Sequence, residues 1–176
     1  MIDGQGKYVI PGLADMHGHV ATFAPVPQSL ESLHRLLAFG ITTVFSPAIA
    51  FDHFRALKAA SNADSSPYPR FYGAGPMFTV EGGHDPTRGL GSFRPKTIEK
   101  ARENVRELKT GGVDVVKIVV DDGSGRMPRL DPKIEAAIIN ESHELGLKVY
   151  AARASLQVRE AIHRIGRRWV GTWHFR

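Results

Sequence analysis

Two histidines one residue apart, His17 and His19 in GLADMHGHV, are the first residues whose type and spacing could do chemistry. Neutral imidazole is a good ligand for zinc and related divalent ions, and a catalytic site needs about three protein ligands plus an open position for water. On a β-strand alternate side chains share a face, so Asp15, His17 and His19 would point the same way and two rings could share one ion. A polar loop with both histidines in solvent is the alternative. Lys117 is the second unusual residue, interrupting the apolar run VDVVKIVV. Burial at a strand end lowers the pKa of an amine, and a neutral amine can react with carbon dioxide to give a carbamate, an anionic oxygen ligand able to bridge two metal ions. Alternatively, Lys117 reaches solvent along its own stem or pairs with Asp121 or Asp122.

The elements that must position these residues repeat one grammar: a helix-period stretch, a glycine, then an apolar strand-like run. SLHRLLAFG-ITTVF, NVRELKTGG-VDVVKIVV and ESHELGLKVYA place the turn at Gly40, Gly112 and Gly146, intervals of 72 and 34 residues that suggest stacked units. Strands alternating with helices predict βα repeats around a parallel sheet. Ile98, Ala101, Val105 and Leu108 follow the rhythm of a helix burying one stripe, with Lys100, Arg102, Glu103 and Arg106 toward water. Gly111 is expected to end that helix in a left-handed turn. Asp131 as N-cap and Pro132 at the first helical position open the next helix, which Leu145 and Gly146 close. Five strands are predicted, in LADMH, ITTVFS, RFYGAG, VDVVKIVV and LKVYA, mostly β-branched or aromatic and apolar on both faces as in parallel sheets covered on both sides, with about five helices.

Composition limits the function classes. The 176 residues, 42% hydrophobic and 23% charged, suit one globular domain or a piece of a larger one. No apolar run approaches the roughly 18 residues of a membrane span, and the N-terminus lacks a signal-peptide pattern, so no membrane partner and a cytoplasmic location are expected. Without cysteine, any metal must sit on nitrogen and oxygen ligands. Of the formal charge of +5, four units come from Arg164, Arg167, Arg168 and Arg176, which argues against a basic face for nucleic acid built into the fold.

Taken in order, VIPGLADMHGH, GITTV, GAGPMFTVEGGH and GVDVVKIVVDDG resemble the metal-dependent amidohydrolase superfamily, nearest its imidazolonepropionase-related and Xaa-Pro dipeptidase-like members. The resemblance runs from about Gly6 to Ile162. It implies a partial (β/α)8 barrel of the TIM type, an α/β fold covering strands one to about five, with the site at the C-terminal strand ends. By position, His17 and His19 match the pair that binds the first metal, Lys117 the carboxylated lysine bridging two metals, and Asp15 a supporting acid behind the histidines. His84 in EGGH matches a loop histidine that contacts substrate; a glycine-hinged surface loop is the other reading. His34, His53 and His143, in helical stretches, are expected to be solvated. The cofactor implied is a divalent metal, zinc first, one or two ions per chain. The chemistry implied is attack of an activated water on a small-molecule amide or lactam carbonyl, with a carboxylate carrying the proton.

Three departures qualify that expectation. DGQGKYVIPG, within residues 1–11, reads as the last strand of an N-terminal β-sandwich module, ahead of barrel residues 12–162. The strand-five run is YAARA, with Ala152 where a histidine ligand is expected and Arg153 beside it. Residues 163–176 form a basic tail resembling no βα unit, whose compatible codons, shifted by one nucleotide, can read as a histidine-bearing strand segment. No strand-eight aspartate is present, so no catalytic residue is assigned and the chain alone is expected to be inactive. The competing expectations are a non-catalytic α/β protein with a partner, and a half-barrel that pairs as a homo-oligomer.

Overall fold

The structure, a computed structural model, describes residues 3–20, 24–85, 87–88, 91–123 and 125–152, and the backbone of 170–171. The elements run β1 (Leu13–Asp15), α1 (Val26–Ala38), β2 (Ile41–Ser46), α2 (Phe51–Ser61), β3 (Arg70–Gly73), β4 (Met77–Phe78) and β5 (Ser92–Phe93). They continue with α3 (Ile98–Thr110), β6 (Val115–Val119), α4 (Pro132–Glu144), β7 (Lys148–Ala152) and β8 (Val170–Gly171). Two parallel sheets result, in the order β1-β2-β3 and β5-β4-β6-β7-β8. The two approach where Asp114 N–H donates to the Gly73 carbonyl at 3.0 Å. This is the α/β class with parallel strands that the sequence implied.

The helix-glycine-strand grammar has a backbone cause. Gly40, Gly112 and Gly146 have φ of +82°, +75° and +73°, a region that costs glycine little and other residues more. Gly111 does not make the left-handed turn expected of it: its φ is −69° and Gly112 carries the reversal. Gly111 is needed for closeness instead, because a Cβ there would lie 2.3 Å from Cε1 of Phe51. The start of α4 is as expected, with Asp131 accepting from Lys133 N–H at 2.7 Å and Pro132 in the first turn. Thr97 caps α3 in the same way, accepting from Lys100 N–H at 3.1 Å.

Strand register separates the two sheet faces. Val44 pairs with Phe71, Val116 with Val149 and Ile118 with Ala151, and all six are buried in one core with Leu33, Phe54, Leu57, Leu108 and Ile138 of the helices. The alternating positions pair Phe45 with Tyr72 and Lys117 with Tyr150 on the other face. That face carries aromatic rings and Lys117, the residue that interrupts the apolar run.

Other expectations need correction. The stretch DGQGKYVIPG forms a turn at residues 5–6 and no strand, and Tyr8 and Val9 are 97% exposed. Among the described residues no strand pairs with it, so its β-propensity has nothing to act on. The short β4, β5 and β8 were not anticipated, because two residues carry no readable period. Four α-helices occur among the described residues. Arg153 and most of the 163–176 tail lie outside the described residues; within the tail, Val170–Gly171 pairs in parallel with Val149 and Tyr150.

Candidate metal centre

His17 and His19 lie beyond the C-terminal end of β1, which stops at Asp15. Strand alternation is therefore not what brings them together. A turn does: Asp15 Oδ1 accepts from His17 N–H at 3.0 Å, and Gly18 N–H donates to the Phe45 carbonyl at 2.9 Å. Gly18 allows the turn to press inward, since a Cβ there would meet Val44 Cγ1 at 2.9 Å and Asp15 Oδ2 at 3.0 Å. The two imidazoles end with ring centroids 5.0 Å apart and planes at 65°. Asp15 thus supports the pair through the backbone.

Lys117 projects from β6 and is 4% exposed, so it does not reach solvent along its stem. Its Nζ lies 4.4 Å from the ring centroid of Tyr150, its register partner on β7. The Tyr150 hydroxyl is 3.1 Å from His17 Nδ1, and its ring meets Phe45 edge-on at 6.0 Å. Tyr150 therefore touches both the histidine turn and the strand lysine. Neither residue type nor spacing marks Tyr150 in YAARA; its place beside Lys117 is set by the pairing of β6 with β7.

Burial pushes Lys117 down to about 7. Burial, then the positive fields of Lys117 and His19, push His17 down to about 4 against the opposing pull of Asp15. His19 is lowered by burial of its inward side and by Lys117, again opposed by Asp15. Burial raises Tyr150. At neutral pH the centre thus presents neutral imidazoles and a neutral phenol beside an amine that readily gives up its proton, the forms in which nitrogen donors bind a metal.

The remaining candidates stand apart from this cluster or add no donor. His84 is exposed, and its carbonyl accepts from Thr79 Oγ1 at 3.0 Å. His34 is exposed, edge-on to Tyr68. His53 and His143 are half-buried, contrary to the expectation of solvation. His53 Nε2 lies 2.9 Å from the Ala24 carbonyl, and His143 Nε2 is shielded with no hydrogen-bond partner among the described residues. Ala152 ends β7 beside Val119 and supplies no ligand atom. Among the described residues no three His, Cys, Asp or Glu side chains gather where they could hold a metal ion. The donor set that does gather is two imidazoles and one lysine amine.

Comparison with known proteins agrees with this fold. Adenine deaminase of Desulforamulus reducens is 23% identical over 173 residues, 96% of this chain and 25% of that protein. A prolidase solved with N-methylphosphonate-L-proline superposes with a TM-score of 0.76 at 22% identity, over 94% of this chain and 48% of that one. A Xaa-Pro dipeptidase with methionine bound in its active site gives 0.73 at 23% identity, over 89% and 46%. No protein-family model matches the sequence. The neighbours in sequence and structure are amidohydrolase-superfamily proteins, and the chain spans about half the length of these solved chains.

Proposed function

We propose that the turn after β1 and Lys117 in the middle of β6 form one half of a metal-dependent site for hydrolysis of a C–N bond in a cyclic amide or dipeptide-like small molecule. On this reading the chain covers strands one to about five of a (β/α)8 barrel. The observation that carries it is the meeting of the turn beyond β1, which bears His17 and His19, with buried Lys117 from the middle of β6, the two joined through Tyr150; barrels of this kind keep their chemistry toward the C-terminal strand ends. The donors suit a divalent ion, zinc first: His17 and His19 would hold it, and Lys117, once carboxylated, would add an anionic oxygen. Bound there, the ion would supply Lewis acidity toward a carbonyl and a nucleophile at neutral pH. The chain's own residues hold the imidazoles neutral, keep the lysine dry and orient the pair through Asp15. Ala152 leaves the donor set short. The 176-residue chain by itself is expected to bind metal and to hydrolyse little. His84 is kept as a substrate-contacting residue reached from the loop after β4.

The test is the metal content of the purified, size-fractionated chain, with and without added zinc and bicarbonate. One to two ions per chain, on the order expected of such sites, lost in His17→Ala, support the reading. Metal at background in the wild type, or robust hydrolysis of amides by this chain alone, overturns it.

A further inference from the structure

The centre contains one side chain that the metal reading does not use. Tyr150 is buried, 7% exposed, on β7, an interior strand of the five-stranded sheet. Register with β6 fixes it beside Lys117, and the Phe45 ring packs edge-on against it at 6.0 Å. A phenol held in this way has little freedom, and its oxygen sits 3.1 Å from one nitrogen of His17. The same ring lies 4.4 Å from Lys117 Nζ.

A neutral imidazole carries one proton, and the hydrogen bond at one nitrogen decides the state of the other. If Nδ1–H donates to the Tyr150 oxygen, Nε2 is the nitrogen that carries the lone pair a metal needs. If the phenol donates to Nδ1 instead, the ring proton sits on Nε2, and His17 leaves the donor set. The two polarities share one geometry and have opposite consequences.

We propose, resting on the metal-site reading above, that Tyr150 is the positioning residue of His17: its hydroxyl accepts the Nδ1 proton, fixes the tautomer and aims Nε2 at the ion. Partners of this kind behind a ligating histidine set metal affinity. The ring has a second effect. It covers Lys117 Nζ on one side, so that carboxylation of the amine must proceed from the side away from Tyr150.

The proposal is tested on the full chain with zinc alone, by competition against a chromophoric chelator, and with cobalt as a spectroscopic probe. Tyr150→Phe keeps the ring and its packing and removes only the oxygen. It is expected to weaken zinc binding on the order of 10- to 100-fold and to alter the cobalt absorption bands, with the melting of the metal-free chain unchanged. Zinc binding by Tyr150→Phe equal to wild type overturns the proposal while leaving the metal site standing, provided His17→Ala still abolishes binding. Absence of binding in the wild type removes both. A measurement that needs no variant is the ¹⁵N shift pattern of His17 in the metal-free chain at neutral pH. A proton on Nδ1 is the expected result, and a proton on Nε2 overturns the assignment even if Tyr150→Phe fails to fold.

Discussion

Lys117 and Tyr150 face one another across β6 and β7, the lysine nitrogen 4.4 Å from the centre of the phenol ring and almost shut off from water. A buried amine with a ring for its neighbour is a poor contributor to stability, because desolvation of the amine costs more than the ring returns.

Replacing the amine by an isosteric apolar chain should therefore stabilise the metal-free protein. Lys117→Met is expected to raise the unfolding free energy by about 1–3 kcal/mol in urea titrations and to abolish any bicarbonate-dependent metal uptake. Equal or lower stability would mean that the amine is better solvated than its 4% exposure implies.

A second buried ionisable group gives a pH prediction away from the centre. Glu135 on α4 takes both contacts of Arg129 Nη2, at 3.1 and 3.2 Å, yet burial outweighs the arginine and raises its carboxyl above the ordinary glutamate range. With the folded pKa above the unfolded one, the folded state binds more protons in the interval between them. Its contribution is fully present below the unfolded value and is lost as pH rises through the folded one. Relative to Glu135→Gln, the wild type should lose stability as pH is raised from about 4 through the carboxylate range. A constant difference between the two across that range would contradict the burial argument.

The N-cap of α4 offers a local test of how the sequence sets its own boundaries. Asp131 accepts from Lys133 N–H at 2.7 Å, so Asp131→Ala leaves a first-turn donor without its side-chain partner. Thermal or urea unfolding should register a loss of about 1 kcal/mol. Asp131→Asn should recover most of it, since the amide oxygen can accept in the same place.

Much of the fold was legible in local pattern. Ala101, Val105 and Leu108 are buried and Lys100, Arg102, Glu103 and Arg106 exposed, as the helical rhythm requires. The reversals at Gly40, Gly112 and Gly146 follow from glycine's tolerance of positive φ. Where the reading slipped, a long-range contact was responsible. Gly111 is a glycine because the Phe51 ring lies against it, and nothing near residue 111 in the chain announces a residue 60 positions earlier. In the same way β4 and β5 exist because Met77 and Phe78 find register partners in Ser92 and Phe93.

The candidate site divides along the same line. Residue type alone marked His17, His19 and Lys117, since imidazoles separated by one residue and a lysine inside an apolar run are unusual wherever they occur. The sequence also determined that any metal would rest on nitrogen and oxygen, there being no cysteine. The tertiary structure alone decided that the histidines meet through a turn closed by Asp15 and the Phe45 carbonyl, and that Lys117 is dry. It also decided that Tyr150 stands between them. The physical reason is that register between β6 and β7, and the depth to which a side chain is buried, are set by packing of the whole sheet against its helices. Neighbours along the chain do not encode that sum.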